Sequence, residues 1–260
     1  MAFKRLKKLQ DIPRVDICGV EVDDISQKEA INRILVLTQD TKGGHMVVTV
    51  NSEFVMLARR NRQFADILKE ADLALADGIG VVLSKLIFGG KVHQRITGVD
   101  LIEGLCAENE KKSIRVGFLG GFEDVAELVA KRQKKVNPRL KIVFAYPGDP
   151  TIRFDLKLKK IILQAGRIDI LFVAYGMGVQ EFWIKRFINK VNVGVFIGVG
   201  GAFDYIAAVK KRAPMFMQNT GFEWFWRLIN EPARIWRMRV LPAFFLLVLK
   251  NRFFSYLKRS

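Results

Sequence analysis

Two hydrophobic periods take turns along this chain. His45–Val50 (HMVVTV) is a short, mostly β-branched apolar run, the pattern of a buried strand, and Ile31–Thr38 before it reads as helix. Glu53–Leu68 carries Val55, Leu57, Ala58, Phe64, Ile67 and Leu68 mostly on one stripe, which predicts one helix, and Ser52 stands where its cap is expected. Leu73–Ala76 is a second apolar run, ended by Asp77-Gly78, and Val81–Ile87 is a helical segment stopped by Gly89-Gly90. The alternation then repeats. Arg115–Leu119 predicts a strand closed by Gly120-Gly121, with a helix over Glu123–Val136; Leu140–Ala145 predicts a strand, Tyr146-Pro147-Gly148 a turn and Phe154–Ala165 a helix. Ile168–Tyr175 (IDILFVAY), apolar apart from Asp169, is a strand ended by Gly176-Met177-Gly178, Gln180–Lys190 is helical, and Val193–Val199 is a last strand ended by Gly200-Gly201. Strands alternating with helices at this spacing build βαβ units, so the expected fold class is α/β with a mostly parallel sheet.

Beyond Pro214 the pattern changes. Gly221–Leu228 and Pro232–Val240 predict two helical pieces parted by Asn230-Glu231-Pro232. Leu241–Leu249 is apolar, but far shorter than the roughly 20 residues a bilayer span needs. It either lies in the membrane interface or packs as an ordinary helix. The expected division is an α/β domain over residues 1–208 and a helical appendage over residues 209–260.

Composition sharpens that division. The chain has 260 residues, half of them hydrophobic, enough for a substantial core. Cys18 and Cys106 lie far apart in no zinc-like spacing and read as small buried side chains of a reducing compartment. Met1–Lys8 is basic but no apolar stretch follows, so no secretory signal is expected. Lys and Arg total 43 against 26 Asp and Glu, and the net +17 calls for an anionic partner. Lys210–Ser260 contains eleven basic residues against only Glu223 and Glu231, so this last fifth carries about half of the excess. It also holds Trp224, Phe225, Trp226, Trp236, Phe244, Phe245, Phe253, Phe254 and Tyr256. Basic residues mixed with bulky apolar ones suit an anionic membrane surface; a nucleic-acid patch usually has more polar interleaving.

In parallel sheets, ligands bind beyond the carboxyl ends of the strands. Thr49 and Asn51, Asp77-Gly78, Gly120-Gly121, Gly176–Gln180 and Gly200–Asp204 all fall there. Several glycine turns in one sheet favour an anionic ligand such as a nucleotide diphosphate, because backbone N–H groups can approach phosphate. Asp77 is the candidate base for a hydroxyl nucleophile, with helix capping as the competing role. The chain contains no Asp-x-Asp pair, and His45 and His93 are isolated, so no metal site and no cofactor are expected. A departing diphosphate then needs guanidiniums. Arg212, Arg227, Arg234 and Arg237 are the candidates, with a lipid-headgroup-facing surface as the other reading.

These residues carry a resemblance. VTVNSEFV (48–55), ADLALADGIGVV (71–82), RITGVDL (95–101), Gly120-Gly121, GMGVQEFWI (176–184), VGGAFDYIAAVKKRAP (199–214) and GFEWFWRLINEPARIWR (221–237) run in the order of the WecG/TagA/CpsF glycosyltransferases. The resemblance implies a Rossmann-like domain with helices on both faces of its sheet. It implies inverting transfer of N-acetylmannosamine, its uronic acid or glucose from a UDP-sugar to an undecaprenyl-pyrophosphate-linked acceptor, in teichoic acid or surface polysaccharide synthesis. It implies a peripheral place on the cytoplasmic face of the bacterial membrane, with no nucleic acid as partner and with homo-oligomers as an option. Carried over, Asp77 becomes the base, Thr49 and Asn51 the polar pair near acceptor or sugar, Gln180 and Glu181 the motif beside the donor, and Arg212, Arg227, Arg234 and Arg237 the appendage's basic positions. Gly120, Gly121, Gly176, Gly200 and Asp204 are expected around the nucleotide. The chain departs from the family at Gly178, where many members have proline. The competing functions are a non-catalytic membrane-associated nucleotide-sugar scaffold and a Rossmann-type nucleic-acid or dinucleotide protein. No Gly-x-Gly-x-x-Gly follows the first strands to support a dinucleotide.

Overall fold

A computed structural model describes residues 12–40, 43–91, 93–232 and 235–257. The basic stretch Met1–Lys8 and the candidate Arg234 lie outside the described residues. Six parallel strands form the central sheet: β3 (His45–Val50), β4 (Leu73–Ala76), β5 (Arg115–Gly120), β6 (Lys141–Tyr146), β7 (Ile168–Ala174) and β8 (Val193–Gly198), in the spatial order β4-β3-β8-β7-β5-β6. The predicted α/β class and both helical layers are thus present. Each strand splits its apolar side chains between two cores, as strand pleating requires. In β8, Phe196 enters the core beneath α2 (Ser52–Arg60), α3 (Arg62–Lys69) and α8 (Val179–Phe187). Its neighbours Val195 and Ile197 enter the opposite core, under α1 (Gln27–Leu37), α5 (Gly98–Lys112), α6 (Val125–Val136) and α9 (Ala202–Ile206).

Besides helices at Gly98–Lys112, Ala202–Ile206 and Met215–Asn219 that the sequence reading did not include, four local features differ from the sequence expectation. A hairpin, β1 (Arg14–Ile17) and β2 (Val20–Asp23), precedes α1. Its turn uses left-handed backbone at Cys18 and Gly19, as two-residue hairpin turns require. Asp23 then docks the hairpin against the sheet edge, one carboxylate oxygen accepting from the Ala74 N–H at 2.7 Å and the other from Arg14 Nε at 2.9 Å. Second, the helix expected over 53–68 is two helices. Asn61 leaves helical geometry, ends α2, and caps α3 by accepting from the Phe64 N–H. Third, the cap of α2 is Asn51 rather than Ser52: its side chain accepts from the N–H groups of Glu53 and Phe54. Ser52 is the first helical residue. Fourth, Leu241–Leu249 is one part of a longer helix.

The tail folds onto the body. After α7 (Asp155–Gln164) and the strands already named come α10 (Met215–Asn219), α11 (Glu223–Asn230), α12 (Ile235–Met238) and α13 (Val240–Leu257). Phe244 and Val248 of α13 are fully buried in the same core as Val50 and Val81. Gly80 of α4 (Ile79–Ile87) makes this approach possible: a Cβ there would sit 3.5 Å from the Phe244 ring and 2.8 Å from Ser52 Oγ. Phe245, Leu246, Leu249, Phe253 and Phe254 on the other side of α13 are exposed. Among the described residues, no helix is long and apolar enough to cross a membrane.

Candidate active site

The sheet register brings the first two polar residues together. Val50 pairs with Ala76 across β3 and β4, so Asn51 and Asp77 leave the carboxyl edge side by side. The Asp77 N–H continues the ladder by donating to the Val50 carbonyl at 2.8 Å. Gly78 follows with φ +116, a conformation closed to most side chains, and a Cβ at that point would lie 3.8 Å from that of Asn51. Asp77 therefore does not act as a side-chain cap of α4, whose N-cap is Gly78. Its partly buried carboxylate lines a cavity of about 610 Å³.

Two guanidiniums share that cavity. Ile96 donates its N–H to the Ala76 carbonyl at 2.8 Å, which holds Arg95 beside the end of β4. The segment before it is anchored to the body, because Asp24 accepts the Lys91 N–H and pairs with the buried Lys85 ammonium at 2.8 Å. Arg227 arrives from α11. Its guanidinium stacks over Tyr205 with 4.8 Å to the ring centroid. Glu223, also on α11 and 3% exposed, takes Arg95 at 2.5 Å on one oxygen and Arg227 on the other. α11 reaches this position because Gly221, at φ +79, lies against Ile79, where a Cβ would come within 2.9 Å.

The electrostatics follow from this packing. Burial pushes the Asp77 carboxyl up to about 6; Arg227 and Arg95 oppose the rise, and Glu223 and Asp100 add to it. Burial also works to raise Glu223, but its two guanidinium partners outweigh it and hold Glu223 below the usual carboxylate range. The result is a carboxylate poised to take a proton near neutral pH beside fixed positive charge.

The other sequence candidates are placed elsewhere in the fold. Thr49 is buried in the sheet, its hydroxyl donating to the Gly198 carbonyl at 3.0 Å. Arg212 pairs with Asp100 at 2.9 Å at the start of α5, away from the lining of the Asp77 cavity. Arg237 belongs to α12, but its side chain lies outside the described residues. Gln180 and Glu181 are both buried and act within the turns. Glu181 accepts from the Gly178 N–H and from Gln180 Nε2, both at 2.7 Å, and Gln180 accepts from the Gly200 N–H at 2.9 Å. This chain of bonds ties the β7–α8 turn to the β8–α9 turn. Gly178 has φ +84 and donates its N–H, neither of which a proline at this position could do. Gly176 is also left-handed, at φ +86. Gly120 is required by packing, since a Cβ there would lie 2.7 Å from the Ala174 backbone, and the next N–H, of Gly121, donates to the Ala174 carbonyl. Asp204 pairs with Lys210 at 2.9 Å.

Two site residues, Arg95 and Glu223, were not singled out from the sequence. A signal for Arg95 existed. Thr97-x-x-Asp100 forms a capping box, with Thr97 and Asp100 each bonding the other's N–H, so Arg95 must stand in the loop just before a helix. Among the described residues, no group of three or more His, Cys, Asp or Glu side chains could hold a metal ion.

Fold and cavity together define an α/β protein with a cavity at the carboxyl edge of its parallel sheet, where a buried carboxyl group stands beside guanidiniums. The chain belongs to the glycosyl transferase WecG/TagA/CpsF family, whose model matches residues 15–258. It is similar to the N-acetylglucosaminyldiphosphoundecaprenol N-acetyl-beta-D-mannosaminyltransferase of Bacillus subtilis, 35% identical over 82% of each chain. The protein of the same name from Bacillus spizizenii is 34% identical over 82% of this chain and 81% of its own. That of Staphylococcus aureus is 26% identical over 92% of this chain and 93% of its own.

Proposed function

We propose that the protein transfers N-acetylmannosamine from a UDP-sugar to N-acetylglucosaminyl-diphosphoundecaprenol, in a single displacement with Asp77 as general base. The observation that carries this reading is the shared cavity: a carboxylate raised to about 6 by burial stands beside Arg95 and Arg227. A sugar hydroxyl is a weak nucleophile, and a positioned carboxylate that removes its proton during attack is worth roughly 10²–10⁴ in rate. The proton goes from the acceptor hydroxyl to Asp77, the new glycosidic bond forms at the anomeric carbon, and the bond to UDP breaks with its electrons on the diphosphate. Single displacement on an α-linked donor gives the β linkage in the relatives' names. Arg227, joined by Arg234 and Arg237 of the same segment, supplies positive charge to the leaving diphosphate, so the reaction proceeds without a divalent cation.

The glycine turns after β5, β7 and β8 are assigned to the nucleotide, with Gln180 and Glu181 shaping them rather than touching it. The protein works as a peripheral enzyme on the cytoplasmic face of the membrane. Phe216, Trp236, Leu246 and Phe253 are exposed on the tail, Arg239, Lys250 and Arg252 lie among them, and this combination suits an anionic headgroup layer. Residues 209–260 act as the membrane-associating appendage.

A panel of UDP-sugars offered with one N-acetylglucosaminyl-diphospholipid acceptor on anionic vesicles, in the presence of EDTA, tests the reading. UDP-N-acetylmannosamine is expected to be the preferred donor, with no loss of rate in chelator. Transfer of a different sugar, or a strict Mn²⁺ requirement, overturns the corresponding part. Binding of UDP without any product favours the scaffold alternative.

A further inference from the structure

The Asp77 cavity is lined by both polar and apolar side chains. Asn51, Asp77, Arg95, Glu223 and Arg227 supply its polar lining, from the sheet edge and α11, and Trp224, Leu228, Met238, Leu241 and Phe245 supply an apolar lining from α11, α12 and α13. The apolar residues form two matched stripes. Trp224 and Leu228 are four apart on α11, and Leu241 and Phe245 are four apart on α13, so each pair shares a helix face. The α13 stripe continues one turn further to Leu249, which is exposed, with Leu246 exposed beside it. The apolar lining of the cavity therefore continues as a track along α13 to the exposed apolar surface. Phe244 and Val248, on the other side of the same helix, are locked in the core and fix the orientation of the track.

We infer that the groove between α11 and α13 binds the first isoprene units of the acceptor's polyprenyl chain, as a specific subsite distinct from the bilayer. The inference rests on the lipid-linked acceptor of the proposed function. The occupant follows from the order of chemistries along the cavity. Such an acceptor presents, in sequence, a sugar hydroxyl, a diphosphate and a branched apolar chain. The site presents a carboxylate, the Arg95 guanidinium not assigned to the leaving UDP, and an apolar track that ends at the exposed surface. A water-soluble acceptor would leave the Trp224, Leu228 and Leu241 wall facing a polar ligand, and burial of apolar surface against it would contribute nothing. Each chain carbon placed against this wall adds to the free energy of binding by the ordinary transfer of methylene groups out of water.

The test uses vesicle-free solution, so that a bilayer cannot substitute for the groove. N-acetylglucosaminyl diphosphate carrying a methyl, geranyl or farnesyl ester is compared below micelle-forming concentrations. The groove predicts that kcat/KM rises by about tenfold or more from methyl to geranyl, through KM, and changes little from geranyl to farnesyl. Leu228→Ser and Leu241→Ser should narrow the geranyl-to-methyl ratio. Equal kcat/KM for all three esters, or an unchanged ratio in both variants, overturns the groove and leaves the apolar track to the bilayer. A second readout is independent of turnover. Farnesyl diphosphate, but not methyl diphosphate, should perturb tryptophan emission, and Trp224→Phe should remove most of that change. If no acceptor is glycosylated, the proposed reaction fails, while the fluorescence comparison still decides whether the groove holds a prenyl chain.

Discussion

Arg95 and Glu223 meet at 2.5 Å although 128 positions separate them, and this ion pair fastens the C-terminal helices to the carboxyl edge of the sheet. Glu223 holds Arg227 with its other oxygen, so one buried carboxylate orients both cavity guanidiniums. Glu223→Gln keeps the size of the side chain and removes the charge that both guanidiniums need. The expected cost is about 1–3 kcal/mol of stability, because buried charge loses its partner, and a kcat/KM lower by about tenfold to a hundredfold. A variant with wild-type kinetics would remove the clamp from the account.

The pH–rate profile reports the same arrangement. Asp77 accepts a proton only when ionised, and burial raises it to about 6. The expected kcat/KM falls tenfold per pH unit below about 6 and is level above about 7. Glu223 adds to the rise at Asp77, so the acid limb of Glu223→Gln should move to lower pH. A merely structural role for Glu223 lowers the plateau without moving the limb.

Stability has its own pH dependence, set by Glu181. Burial raises its carboxyl from 4.5 to about 7. The folded state then binds more protons than the unfolded state between those values, so this group's contribution to stability declines as pH rises from about 4.5 to 7 and stays low above 7. Asp77 acts in the same direction, between 3.8 and about 6. Glu181→Gln removes the largest part of the effect. Urea unfolding should show wild type losing stability from pH 5.5 to pH 8, with the variant flatter by about 1–3 kcal/mol. Parallel curves for the two proteins would contradict the buried, protonated Glu181.

Helix α13 belongs to the core as well as to the outer surface. Phe244 is fully buried, so Phe244→Ala should cost about 3–5 kcal/mol in chemical denaturation. Phe253→Ser, at an exposed position, should leave stability nearly unchanged and weaken flotation with anionic vesicles. Removal of residues 241–260 is expected to destabilise the whole protein, not only release it from lipid.

Much of the fold was legible because its signals are local. Short apolar runs, most of them ended by a glycine turn, gave every strand of the large sheet, and the position of Asp77 after one of them gave the carboxylate of the cavity. The hairpin was missed because its four-residue strands, RVDI and VEVD, mix charged with apolar residues and so form no apolar run like LALA of β4. The break at Asn61 was hidden because the apolar stripe continues across it from α2 into α3. Arg95 and Glu223 were missed for a different reason. Their role exists only once Ile96 is pinned to β4 and Gly221 is packed on Ile79, contacts distant in sequence that no local pattern encodes. Gln180 and Glu181 lay in a recognisable motif, yet their work is to join two turns, which only the tertiary structure brings together.

Transfer by Asp77→Asn tests the central claim most directly. Wild type and variant are compared at pH 7.5 with UDP-N-acetylmannosamine and a prenyl-diphosphate-linked N-acetylglucosamine acceptor, with circular dichroism confirming the fold of both. The account predicts a folded variant, at least as stable as wild type because a desolvated charge is gone, whose transfer rate is lower by about 10²–10⁴-fold. A folded Asp77→Asn protein that transfers the sugar at close to the wild-type rate would contradict it.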